Sequence, residues 1–277
     1  MNTREMMDIA LNLAGLKEEP QDAEIIVPGE NIRRVLAGVD MNTPEVIIGK
    51  IMGYDCVVGH HPRNVRCVLS SELFREQMYK MEANGIPINH SQKLISIKAD
   101  KIDKEEHSFN ADRNATAAQV LQQPFMCIHT PADLIVEKAL QKRFDEQFGN
   151  NPRTKLKDII DSLSEIPEYK NAYQKPRIAV GSPDSYAGKI LVIMSGVTEG
   201  GPEVFKAYFR AGVGTLVMMH LAEESEKAIV EQGIGNVIDA GHMASDSYGM
   251  NRIFEAWEAQ GIEVTRMSGL VSPDSKE

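Results

Sequence analysis

Three stretches of this sequence end a short apolar run on histidine. Residues 56–58 (Cys-Val-Val) run through Gly59 into His60-His61-Pro62; residues 125–128 deliver His129; residues 236–240 lead through Gly241 to His242. The second and third stretches add an aspartate four residues on, Asp133 and Asp246. At that spacing His242 and Asp246, in the first turn of a predicted helix, share a face roughly 5–6 Å apart. Imidazoles with carboxylates suit Zn, Mn, Fe or Ni, whereas Mg and Ca prefer all-oxygen shells. Each piece has a plainer use, since an acid such as Asp133 or Asp246 near a helix start favours the helix dipole regardless of function. Caps alone do not account for so many such residues at the like ends of three strands. The sequence reads as a metal site.

The elements that must position these groups follow from spacing and punctuation. Met6, Ile9, Ala10 and Leu13 predict an N-terminal helix, stopped at Lys17-Glu18-Glu19-Pro20. Residues 25–27 and 35–40 read as strands, and Thr43-Pro44-Glu45 as a helix start with Thr43 as N-cap. That helix carries Val46, Ile47 and Ile51 to Gly53, and the His-His strand follows. Strand, helix and strand on short links make a βαβ unit, which predicts a parallel sheet. Gly59 permits the bend that would bring both imidazoles to one site, and Pro62 biases His61 toward extended backbone. In open α/β sheets, ligands bind at the carboxyl ends of strands.

Further on, Leu73, Met78 and Met81 line a helix over residues 71–84, and residues 86–89 read as a strand stopping at His90. Residues 91–123 form a helical excursion in which the charge-dense stretch 98–113, with His107 and Asp112, is expected to be solvated. A helix bearing Ile135, Leu140 and Phe144 follows, and residues 149–175 are expected to link two halves. Strands at 178–180, 190–194, 215–219, 236–240 and 262–267 then alternate with helices at 204–211, to Gln232 and to Glu258. His220 follows the strand at 215–219. The expected fold is α/β with largely parallel sheets, an N-terminal lobe over 1–148 and a C-terminal lobe over 176–277.

Composition narrows the function. Hydrophobic residues make up 42% and charged residues 25%, as in ordinary globular chains. A net charge of −10 without a basic stripe opposes binding to nucleic acid, although a local cation would still admit a phosphorylated small molecule. Cys56, Cys67 and Cys127 have no paired spacing and lie among apolar residues, as reduced cysteines of a cytoplasmic protein do. No apolar run reaches membrane-spanning length, and the first twenty residues do not form a signal peptide.

His60-His61-Pro62, His129-Thr130 with Asp133, and Ile238-Asp239-Ala240-Gly241-His242 with an acid at 246 resemble the Ngg-interacting-factor-three-like family. Its members are also labelled dinuclear metal-centre proteins or GTP cyclohydrolase 1 type 2 homologues. The resemblance spans nearly the whole chain, including Gly38-Val39-Asp40 and the Thr-Pro-Glu after it. It implies two interlinked α/β lobes, two adjacent divalent transition metals at their interface, and commonly a ring-shaped homohexamer. Carried over by position, the metal ligands are His60, His61, Asp133, His242 and Asp246. His129 falls at a nearby motif histidine and, like His220, is expected to support a ligand or contact substrate, with Asp40 or Asp239 as outer hydrogen-bond partners of the ligands.

Four departures stand out. Asp246 replaces a glutamate and is one methylene shorter, and His220 stands where members carry Gly-Asp. The segment over residues 90–123 is longer than usual, and the usual N-terminal Gly-Leu-Gln-Val-Gly segment is not recognisable. The implied activity is metal-dependent hydrolysis of a nucleotide, phosphoester or cyclic amide, with Asp133 and Asp246 bridging two ions. The alternative is a metal-binding or regulatory scaffold without turnover. No Walker-type loop supports GTP binding, since the glycines from Gly196 to Gly201 have the wrong spacing.

Overall fold

The computed structural model describes residues 1–62, 71–108, 110–195 and 200–274. Cys67 and Gly196 lie outside them, as does the side chain of Leu73. In chain order the helices are α1 Thr3–Ala14, α2 Thr43–Ile51, α3 Ser71–Ala83, α4 Ile88–Glu106, α5 Arg113–Leu121, α6 His129–Phe148, α7 Leu156–Ser164, α8 Pro167–Asn171, α9 Pro202–Arg210, α10 Glu223–Gln232 and α11 His242–Glu258. The strands are β1 Ala23–Val27, β2 Arg34–Gly38, β3 Cys56–Gly59, β4 Phe125–Ile128, β5 Arg177–Val180, β6 Lys189–Ile193, β7 Val213–Met218, β8 Asn236–Asp239 and β9 Glu263–Met267. Among the described residues no helix is long and apolar enough to cross a membrane.

The chain divides into two compact units, neither continuous in sequence. One comprises Met1–Ser70, Glu105–Ile135 and Asp246–Glu277; the other comprises Ser71–Lys104 and Val136–Ser245. The first holds a five-stranded sheet in the order β1-β4-β3-β2-β9. Strands β4, β3, β2 and β9 run parallel, and β1 pairs antiparallel with β4 at the edge. The last strand, β9, therefore joins the sheet begun by the N-terminal half. The second unit holds a four-stranded sheet, β5-β8-β7-β6, parallel except at β5.

Alternation along the strands explains why the first sheet is covered on both faces. Val35, Ala37, Cys56, Val58, Met126 and Ile128 pack with Met6 and Ala10 of α1 and with Phe254 and Trp257 of α11. The intervening Leu36, Val57, Phe125 and Cys127 pack with Val46 of α2 and Ala118 of α5. Trp257 is fully buried and its Nε1–H donates to the Met6 carbonyl at 3.1 Å. Truncating such a residue to alanine costs about 3–5 kcal/mol.

Several sequence expectations change. The N-cap of α2 is Asn42, one residue before Thr43, with its N–H bonded to Glu45 at 2.8 Å. Residues 86–89 are not a strand, because α4 begins at Ile88 immediately after Pro87. The excursion is helical but not merely solvated. Ile95 and Ala99, one turn apart on α4, are buried in the second unit's core, with Ile102 packed beside them. Lysines and aspartates on the other faces of α4 hide that stripe. His107 and Asp112 are exposed. Residues 149–175, expected as a link, contain α7 and α8, which bury Leu156, Ile159, Leu163 and Tyr169.

Candidate metal centre

Three elements of the first unit bring the predicted groups together. Strand β3 ends at Gly59, and the His60 N–H donates to the Gly38 carbonyl at 3.0 Å while that of His61 donates to Val39 at 3.0 Å. Those bonds fix both imidazoles beside the carboxyl end of β2. Helix α6 starts at His129, so Asp133 follows one turn later on the same face. Helix α11 starts at His242 and presents Asp246 one turn later.

His60 is wholly buried between two carboxylates. Its Nε2 lies 3.3 Å from Asp133 Oδ1 and 3.4 Å from Asp246 Oδ1. His61 Nε2 lies 3.6 Å from Asp246 Oδ2, and His129 Nε2 lies 3.7 Å from Asp133 Oδ2. The three rings are 4.7–5.8 Å apart, centroid to centroid.

His61 and His129 are each held from behind. Asp40 Oδ1 stands 2.9 Å from His61 Nδ1, and Asp22 Oδ2 stands 2.5 Å from His129 Nδ1. A carboxylate there accepts the Nδ1–H and turns the Nε2 lone pair toward the centre, as outer partners of metal-bound histidines do. Thr130 Oγ1 also donates to Asp22 Oδ2, at 2.7 Å. Asp22 was not foreseen from the sequence. It precedes β1, and the antiparallel register that pairs Ala23 with Ile128 carries it opposite His129. Only that long-range pairing could have pointed to it.

Charges in the cluster are strongly coupled. Burial pulls the His60 pKa down, but Asp246 and Asp133 more than reverse this and raise it to about 10. Burial, with the charge of His60 beside it, lowers that of His61 to about 4. His129 is raised, because Asp133 and Asp22 outweigh its burial. Asp22 is lowered, since His129 outweighs the opposing burial. A proton on His60 thus sits between carboxylates that would otherwise face each other in a medium of low dielectric.

The donor set fits a cation. His60 Nδ1 is buried and makes no hydrogen bond among the described residues, and His60 Nε2 and Asp133 Oδ1, 3.3 Å apart, face each other as a charge pair without hydrogen-bond geometry. Leaving such atoms unmatched costs about 1–3 kcal/mol each. Ligand atoms of His60, His61 and His129 lie within 4.8 Å of one another, as do those of His60, Asp133 and Asp246. The chain therefore carries a His/Asp cluster that could bind metal.

Other expected residues belong to the second unit. The rings of His242 and His220 are 5.0 Å apart there, with His220 exposed. Asp239, considered as an outer partner for a histidine, instead accepts from Arg177 Nε at 2.9 Å and Nη2 at 2.7 Å.

No family model matches the sequence, and no curated protein matches it. Among solved structures, the chain is similar to a NIF3 superfamily protein from Sphaerobacter thermophilus, with a TM-score of 0.93 and 33% identity over 98% of this chain and 99% of that one. Reduced HcgD from Methanocaldococcus jannaschii shares the fold at a TM-score of 0.59 and 14% identity, covering 96% and 97% of the two chains. A protein related to NIF3 from Bacillus cereus does so at 0.51 and 10%, covering 96% of each.

Proposed function

The chain belongs to the NIF3 superfamily, and from that premise we propose that it binds two divalent transition metals and hydrolyses a small phosphorylated or cyclic-amide substrate. The observation that carries this reading is the buried cluster itself. His60, Asp133 and Asp246 are almost entirely excluded from solvent, yet His60 and Asp133 leave buried polar atoms without hydrogen bonds. Three imidazoles and two carboxylates offer more donors than one tetrahedral ion takes.

Two ions would supply Lewis acidity and lower the pKa of water toward neutrality. The protein's own groups divide the remaining tasks. Asp133 and Asp246, with two oxygens each, would hold both ions. His60 and His61 are terminal donors, with His61 oriented by Asp40. His242, one turn ahead of Asp246 on α11, is the further ligand that the family resemblance adds. His129, held by Asp22, is placed to keep a proton beside Asp133.

A ring-shaped homohexamer is part of the same proposal. Ile48, Ile51 and Met52 at the end of α2 and Val120 on α5 are exposed apolar residues that fit a subunit contact.

The depth of the carboxylates favours one second reading, a metal-binding scaffold without turnover, because His60, Asp133 and Asp246 are buried while His61 and His129 each expose 19% of the side chain. Elemental analysis of protein purified without chelator should find close to two transition metals per chain. A metal-replete screen against nucleotides, phosphodiesters and cyclic amides then separates the readings. Turnover supports the hydrolase, and full metal occupancy without turnover on any of them supports the scaffold. A metal content that never exceeds one would defeat the dinuclear assignment.

A further inference from the structure

Helices α6 and α11 touch within the first unit, where Ala132 of one meets Gly249 of the other. Asp133 directly follows Ala132, and Asp246 stands one turn before Gly249. A Cβ on Gly249 would lie 2.1 Å from the Ala132 carbonyl oxygen and 2.6 Å from its carbon. Those atoms are helix backbone and cannot swing aside as the end of a long side chain can. Any side chain at 249 must separate the helices, by about 1 Å to restore ordinary contact. Gly249 lies inside a helix and its φ is not positive, so its backbone conformation does not call for glycine. In that setting glycine costs about 1 kcal/mol relative to alanine. Close approach is the reason for it.

We propose that Gly249 is a positioning residue: its missing side chain sets the α6–α11 separation at which the short Asp246 carboxylate reaches the same cation position as Asp133. This rests on the metal-centre reading. His60 Nε2 measures the match, standing 3.3 Å from one carboxylate and 3.4 Å from the other. Displacing α11 withdraws Asp246 from that position. A glutamate, longer by one methylene or roughly 1.5 Å, covers the same distance.

The test uses the full chain, zinc as the probe, equilibrium dialysis with elemental analysis, and circular dichroism to confirm folding. Gly249→Ala should fold and bind zinc more weakly, by about tenfold or more, the scale seen when groups that orient metal ligands are lost. Asp246→Glu alone should also weaken binding, because the longer side chain overreaches. Combining the two should recover most of the wild-type affinity. A folded Gly249→Ala with wild-type affinity overturns the proposal, as does a double variant no better than the weaker single one. If Gly249→Ala does not fold, Asp246→Glu decides, and unchanged affinity there overturns the length match. Wild-type protein that takes up no zinc fails in a different and recognisable way, by removing the metal reading itself.

Discussion

In the second unit, Glu137 of α6 accepts from Lys80 Nζ at 2.7 and 2.8 Å, from the Met194 and Ser195 N–H groups at 2.8 Å each, and from Ser195 Oγ at 3.1 Å. Lys80 also donates to the Ser195 carbonyl at 3.0 Å and to its Oγ at 2.6 Å. One turn along α6, Gln141 accepts from the Val192 N–H and donates to the Ile190 carbonyl, which closes the free edge of β6. The His60–Asp133 cluster of the first unit uses residues of similar polarity, but His60 Nδ1 makes no hydrogen bond among the described residues, and His60 Nε2 and Asp133 Oδ1 meet only as a charge pair without hydrogen-bond geometry. Both clusters are largely buried, so burial does not distinguish them. Saturation does. A polar network whose donors and acceptors are matched by the chain contributes to the fold, whereas unmatched buried atoms carry a cost that a ligand can offset.

The comparison can be broken most severely at Asp133. Under the two-ion proposal, Asp133→Ala removes the oxygen pair that would serve both ions and would leave two cations with less screening between them, so both metals should be lost together. His60→Ala removes one neutral donor and should leave about one metal per chain. Equal metal content in the two folded variants would show that Asp133 bridges nothing.

The saturated network should respond in stability instead. Glu137→Ala removes the counter-charge of Lys80 and leaves two N–H groups without their acceptor, and should cost about 3 kcal/mol in urea unfolding while metal content stays constant. A loss below 1 kcal/mol, or a loss of metal, would erase the distinction between the clusters.

Asp40→Ala should keep the metals but weaken their binding by about 10- to 100-fold, since His61 loses the carboxylate that accepts its Nδ1–H. Unchanged affinity would show that Asp40 does not orient a ligand.

The smallest effect is on pH. Despite its burial, His60 holds a proton up to about pH 10 because Asp246 and Asp133 face it. Metal must displace that proton, and displacement becomes easier as pH rises. Zinc affinity measured at constant ionic strength should therefore climb about tenfold per unit between roughly pH 6.5 and 8. A flat profile would place the metal away from His60.

Much of this was legible in the sequence because the signals were local. Apolar runs closed by Gly and Pro gave β2, α2 and β3 as a βαβ unit, and the same runs placed His60, His129 and His242 at strand ends. Asp22 and Asp40 show the limit. Asp40 lay beside a recognisable strand end, whereas Asp22 acquires its meaning only from the β1–β4 register. The partner of β9 was likewise hidden, since residues 262–267 announce a strand but not that it pairs with β2. Ile86 failed as a strand marker because a short apolar run fits a helix entry equally well, and Pro87 ahead of α4 decides for the helix. Gly249 carried no sequence signal, because its value lies in what it touches on α6.

The most direct test of the central claim, that the unsaturated cluster is a cation site, is anomalous diffraction at the zinc edge from crystals grown with zinc. The account predicts two adjacent peaks, at least one of them between His60, Asp133 and Asp246, and none at the Lys80–Glu137 network. Well-diffracting crystals with no peak at His60, and with His60 and Asp133 joined by a direct hydrogen bond, would contradict it.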